Sequence, residues 1–227
     1  MHQSWGKLLF IHWPIETSLL RPLIPAALEI DTFDGRAWIA EVPFTMWDIR
    51  AFPPHIPAVP GLRAMHELNV RTYVHFDGVP GVWFFSLDCN NAAAVLGART
   101  LYYLPYYNAE IELEQQESLI NYSSIRSDSP AAQFQASWEI GNSLPPSDPG
   151  SLEYFLTERY CLYSEHGDNL YRSRIHHSRW PLRKASLRSW SSQMTTPLSL
   201  PRPNADPVLH FAEELSVEIW SLQKVKG

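Results

Sequence analysis

The chain has 227 residues, 18 basic against 24 acidic side chains, a formal net charge of −6 and an apolar share of 45%. That share fills a sizeable core. The negative balance, with only four scattered lysines (Lys7, Lys184, Lys224, Lys226), excludes the basic face that a nucleic-acid partner needs. Cys89 and Cys161 form no CxxC pair, so reduced thiols in a cytoplasmic protein are the simpler reading. The apolar run near the N-terminus, Leu8 to Ile11, is too short for a signal peptide or a membrane span, so no membrane partner is expected.

In chain order, the first thirty residues read as a short helix and a proline-bounded turn. Leu19, Leu20, Leu23 and Ile24 stand at helical spacing, interrupted by Pro22 and Pro25. Asp34-Gly35 is a turn signal, and Ala37 to Phe44 follows as a strand with Trp38, Ala40 and Val42 on one face. Residues 51 to 61 hold four prolines and predict a loop at a pocket mouth or on the surface. Glu67 to Phe76 is a strand, turned at Asp77-Gly78 into a second apolar strand over Val82 to Leu87. Asp88 or Asn90 is placed to cap an alanine-rich helix over Asn91 to Leu101. Three more strands are predicted over 108–115, 119–126 and 132–139, with Glu110, Glu112 and Glu114 on a solvated face. A proline-rich loop over 141–150 precedes a short helix over 151–160. Strands over 169–177 and 181–190, a loop over 197–207, and a last strand or two within 208–222 complete the reading. Many short strands and few helices predict a β-rich α+β chain, one domain over 1–227, wrapped into an antiparallel barrel or sandwich.

Two segments carry candidate chemistry. On the strand opening at Glu67, residues Glu67, Asn69, Arg71, Tyr73 and His75 share one face, and Leu68, Val70, Thr72, Val74 and Phe76 the other. The polar face points to solvent in an ordinary antiparallel sheet, or into the lumen if the sheet closes. An inward arginine calls for a carboxylate, from Glu67 or from a ligand. The second segment, Gly97-Ala-Arg99-Thr-Leu-Tyr-Tyr103-Leu-Pro105-Tyr106-Tyr107, resembles the active-site segment of the acetoacetate decarboxylases, in which a Gly-Arg-Glu is followed by Gly-aromatic-Pro-Lys-Lys. Gly97, Arg99 and Pro105 fit that pattern. Thr100 stands for the glutamate, Tyr103 for the second glycine, and Tyr106 and Tyr107 for the two lysines. The decarboxylases act through a lysine whose amine is activated by a neighbouring cation, and a phenol forms no imine.

A broader resemblance is to the YqjF-like family, domain of unknown function 2071 (DUF2071), within the same superfamily. It rests on blocks that include Leu9-Phe-Ile-His12-Trp13-Pro14, Asp31-Thr-Phe-Asp-Gly35-Arg-Ala-Trp38, Glu67-Leu-Asn69-Val-Arg71-Thr-Tyr73, Gly81-Val-Trp-Phe-Phe-Ser86-Leu-Asp88 and His177-Ser-Arg-Trp180-Pro-Leu182. The resemblance implies a cone-shaped antiparallel β-barrel of acetoacetate decarboxylase type, with flanking strands, a few short helices and the possibility of homo-oligomers. It also implies Glu67 as the carboxylate beside the altered lysine positions.

The resulting expectation is a pocket for a small organic acid or carbonyl compound, needing no cofactor and working without a Schiff base. Glu67 moves a proton and Tyr106 polarises a carbonyl. Asn69, Arg71, Tyr73, Arg99, Tyr107 and His177 are candidate ligand contacts. Arg99 or Arg71 is placed to lower the Tyr106 pKa from its usual value near 10. No HxH, HExxH or Cys/His spacing signals a metal. Two rival readings share the same residues: a non-catalytic ligand-binding protein on this barrel, and an interaction module using tryptophans and proline-rich loops.

Overall fold

Strand β4 (Ala64–Phe76) divides the protein into two compartments. The computed structural model describes residues 1–50, 64–129, 131–202 and 206–226. A common wall runs through β12 (Val208–Ile219), β1 (His2–Ile15), β3 (Ala37–Arg50), β4 and β5 (Val79–Cys89), each paired antiparallel with the next. On one side β5 joins β9 (Cys161–His166), β9 joins β10 (Asn169–His177), and β10 returns to β12. On the other, β5 leads through β6 (Tyr106–Gln116), β7 (Leu119–Arg126), β8 (Gln133–Ser143) and β11 (Leu182–Ser192), which also returns to β12. The sheet is thus largely closed on itself, with short β2 (Glu29–Ile30) and β13 (Gln223–Lys226) at its margins. Pairing is antiparallel as the sequence predicts, except that β5 runs parallel to both β6 and β9.

Both faces of the common wall are buried. Leu68, Val70 and Val74 of β4 pack with Leu9, Ile11 and Ile39 against Tyr122, Phe134 and Trp138 of the β7–β8 layer. The opposite faces of β1, β3 and β12, with Phe10, Trp38, Val42 and Val217, line the other compartment. The polar face of β4 is therefore buried from Glu67 to Tyr73, with only His75 at its end part-exposed, and the closed circuit decides the alternative left open by periodicity.

Bulges set which side chains enter which compartment. Lys7 lies at φ 49° where the β1 register shifts, so Gln3 and Trp5 before it and Leu8 after it reach the same cavity. Asp48, at φ 54°, does the same in β3 between Met46 and Ile49. An extra residue in a strand moves every following side chain to the other face. At neighbouring Gly6, a Cβ would lie 2.4 Å from the Glu213 carbonyl oxygen and 2.6 Å from the Trp47 ring, so glycine admits this close strand approach.

Several sequence expectations are corrected. Residues His2–Ile15 form β1, a long wall strand. The helix near residue 20 is only α1 (Thr17–Leu20), followed by a 3₁₀ turn over Arg21–Leu23. The alanine-rich helix, α2 (Ala92–Tyr102), is capped by Asn91, whose side chain accepts from the Ala93 and Ala94 amides at 3.1 Å. Asp88 is buried instead against Arg126, 2.7 Å away. The third helix is confined to α3 (Leu152–Thr157), and Cys161 begins a strand. β8 extends to Ser143. The loop predicted over 51–61 and part of that over 197–207 lie outside the described residues. Among the described residues, no helix is long and apolar enough to cross a membrane.

Candidate active-site cavity

A cavity of about 630 Å³ opens between the common wall and α2. Helix α2 lines it with Ala93, Ala94, Gly97 and Ala98, which at i, i+1, i+4 and i+5 fall on one helical face, and with Leu101 and Tyr102 one turn further along that face. Most of the wall is apolar, including Trp5, Val42, Phe44, Met46 and Leu87. The polar groups of β4 converge at one part of it: Glu67, Asn69 and Arg71, with Tyr106 beside them.

Tyr106 is brought there by the parallel pairing of β6 with β5, which sets it beside Leu87 while Cys89 pairs with Glu67. Its hydroxyl donates to Glu67 Oε2 at 2.6 Å. Asn69 Nδ2 donates more weakly to Oε1, at 3.5 Å. From the other compartment the Tyr122 hydroxyl donates to the Glu67 carbonyl oxygen at 2.9 Å, pinning the backbone. Burial pushes the Glu67 carboxyl up to about 7, against the opposing effect of its hydrogen bonds from Tyr106 and Asn69. Burial, and then the Glu67 charge, drive Tyr106 well above its ordinary value. This corrects the expectation of an arginine-activated phenol. Arg99 donates to the Tyr106 carbonyl oxygen at 2.6 Å and not to its hydroxyl. Tyr106 is a hydrogen-bond donor at neutral pH, and Glu67 is the group that changes protonation.

Arg71 is 8% exposed. Its guanidinium carbon lies 5.2 Å from the Phe10 ring centroid and 5.8 Å from that of Tyr73. Among the described residues no carboxylate stands within ion-pair distance of it, and its Nε has no hydrogen-bond partner. The carboxylate expected from Glu67 is therefore not supplied. Tyr73 is held behind it: its hydroxyl donates to the Leu156 carbonyl oxygen at 2.8 Å, leaving its lone pairs to His12 Nε2 at 2.7 Å. Burial, Arg71 and His210 hold His12 well below its ordinary pKa, so it is neutral here.

Four sequence-predicted residues lie off the cavity wall. Tyr73 supports Arg71. Tyr107 stacks under the Arg126 guanidinium, 3.9 Å from its ring centroid, beside the buried Asp88–Arg126 pair. Arg99 borders a shallow exterior depression with Tyr103 and His166. His177 stacks on Tyr160 at 4.6 Å and bonds the Ser178 carbonyl oxygen through Nδ1. Sequence reasoning missed Gln3, Trp5, Met46 and Met65, all on the wall. The adjacent Gly6-Lys7 pair was the available signal for the bulge that turns the first two inward. None of the four lysines lines the cavity. Among the described residues no group of three or more His, Cys, Asp or Glu side chains is arranged to hold a metal ion.

The sequence model of the DUF2071 family, described as an uncharacterised conserved protein, matches residues 2–216. The uncharacterised protein YqjF of Bacillus subtilis (strain 168) is 42% identical over 224 residues, 99% of this chain and 92% of that one. Among solved structures, the enduracididine biosynthesis enzyme MppR, complexed with the condensation product of pyruvate and imidazole 4-carboxaldehyde, aligns at TM-score 0.69 and 11% identity. The alignment covers 99% of this chain and 89% of that one. An acetoacetate decarboxylase-like enzyme from Sphingomonas wittichii RW1 aligns at TM-score 0.66 and 11% identity, over 100% and 93% of the two chains. At such identities the likeness is one of fold: the β-rich barrel-like architecture is that of the acetoacetate decarboxylases.

Proposed function

We propose that this chain, which belongs to the DUF2071 family, binds a small carbonyl compound or organic acid in the α2-roofed cavity and transforms it by proton transfer without imine chemistry. The observation that carries the reading is the buried Glu67–Tyr106 pair on the wall of a cavity that also holds Arg71. A carboxyl with a pKa near the working pH is matched to take and return a proton. Support from the fold is indirect: the structurally similar MppR holds a pyruvate-derived product.

In this reading the ligand's carboxylate pairs with Arg71. The Glu67 carboxylate takes a proton from the carbon next to the ligand carbonyl. The C–H electron pair becomes a carbon–carbon double bond, and the carbonyl π pair moves onto its oxygen, giving an enolate. Once protonated, Glu67 no longer needs the Tyr106 hydrogen bond, and that hydroxyl turns to the enolate oxygen. Asn69 holds the second carboxyl oxygen of Glu67. Tyr106 and Tyr107 stand where the resembling decarboxylases carry lysines, which is why an imine route is set aside. Of the lyase, hydratase and hydrolase classes that suit such a pocket, the lyases and hydratases that eliminate a group β to a carbonyl begin with this step. The unpaired, buried Cys89 and Cys161 favour a cytoplasmic setting.

The test is α-proton exchange of 2-oxo and 3-oxo acids in D₂O, followed by NMR. The expected result is catalysed exchange that rises as pH passes through about 7, falls on the order of 100-fold or more in Glu67→Gln, and falls less in Tyr106→Phe. Binding with no exchange makes the protein a non-catalytic ligand carrier. No binding by any acid sinks the reading and returns weight to the interaction module.

A further inference from the structure

We infer that the cavity is built for an amphiphilic acid, one carboxylate on a hydrocarbon or aryl tail of roughly six to ten carbons, in the middle of the size range that pockets of ~300–1,000 Å³ enclose. The inference deepens the proposed function and rests on it for the placing of the head group. Three observations carry it. Arg71 is more than nine-tenths buried, unpaired by any described carboxylate, and on the cavity wall. A buried guanidinium in that state calls for an anion. The cavity, at about 630 Å³, is many times larger than a three-carbon acid, and apart from Glu67, Asn69, Arg71, Tyr106, Gln3 and Ser221 its wall is mostly hydrocarbon, aromatic and thioether. A short acid bound at Arg71 leaves most of that wall facing water, whereas a tail covers it.

The roof shows how the space is kept. Ala93, Ala94, Gly97 and Ala98 face the cavity, with Leu101 and Tyr102 closing its far end, while bulky Leu96 is 68% exposed and off the cavity wall. A Cβ at Gly97 would meet nothing within 4 Å. The first two turns of the helix therefore leave the tail space open, and a larger residue at Gly97 enters it without striking backbone. Met46 and Met65 on the wall are unbranched and adapt to tails of different shape.

The experiment is calorimetric titration of the full chain with straight-chain carboxylates of two to ten carbons, with the matching primary alcohols as uncharged controls. Pyruvate and acetoacetate are titrated alongside, and Gly97→Leu in parallel. The expected result is affinity rising up to about fourfold per methylene, alcohols at least tenfold weaker than acids of equal length, and Gly97→Leu, with the fold retained, abolishing the gain for the longest acids and weakening acids of two or three carbons much less. Short acids that bind with no gain along the series overturn the inference and leave the proposed function standing. Alcohols that bind as well as acids overturn it too, because no anion is then being recognised. If no acid of any length binds, both readings fall together.

Discussion

Two carboxyls, Glu67 and Glu41, are almost fully buried, and burial pushes each up to about 7. They sit on opposite faces of the same wall. Glu67 faces the α2-roofed cavity with Tyr106 as donor. Glu41 faces the closed compartment, where Ser192 donates from 2.5 Å and Trp190 Nε1 from 3.2 Å, tying β3 to the end of β11. The contrast teaches that a raised carboxyl pKa marks exclusion from water and nothing more. What separates a candidate acid–base group from a structural tether is space beside it for a ligand.

The largest expected contrast is in packing. Leu68→Ala removes a fully buried side chain from the closed compartment and is expected to cost about 4 kcal/mol. Leu87→Ala, on the cavity wall, is expected to cost about 2 kcal/mol, because one side of that leucine already faces open space. Denaturant midpoints measure both, and an equal cost would break the comparison.

Next comes pH. A carboxyl whose folded pKa lies near 7 against 4.5 unfolded binds more protons folded than unfolded between those values. Its presence therefore costs stability progressively as pH rises from about 4.5 through 7, reaching about 3 kcal/mol at the plateau. Glu41→Gln and Glu67→Gln are each expected to raise Tm relative to wild type at pH 8.5 and much less at pH 5. Only Glu67→Gln is expected to change proton exchange. A matching loss in Glu41→Gln would erase the distinction drawn between the two carboxyls.

A smaller effect is expected at Arg71. An unpaired buried charge is a cost to the fold, so Arg71→Met should gain about 1 kcal/mol or more while acid binding disappears. A loss of stability in that variant would mean that the stacking on Phe10 and Tyr73 outweighs the burial of the charge. The smallest effect is at the end of α2. Tyr103 adopts the left-handed conformation, φ 53°, at the place where the resembling decarboxylase pattern carries glycine. It also stacks on His166 at 4.2 Å. Tyr103→Gly relieves about 1 kcal/mol of backbone cost and loses a ring contact of similar worth, so Tm should move by only a few degrees.

Much was legible in the chain itself. The alternation of Glu67 to Phe76, the Asp77-Gly78 turn, the alanine-rich helix and the β6–β8 meander are local patterns, and periodicity with turn chemistry specifies them. β1 was not legible, because the bulge at Lys7 breaks its alternation and Pro14 mimics a strand end. The short strand β9 was hidden behind α3. The sequence by itself determined that β4 has one polar and one apolar face, and that no lysine stands at Tyr106 or Tyr107. Only the tertiary structure decided that both faces of β4 are buried, since that depends on circuits closed through β12 and β5, strands far apart in the chain. It alone set Tyr106 against Glu67, 39 residues away, through a parallel pairing that local periodicity does not encode. It alone distinguished Glu41 from Glu67, because whether a buried carboxyl meets packed side chains or open space depends on the element lying across from it.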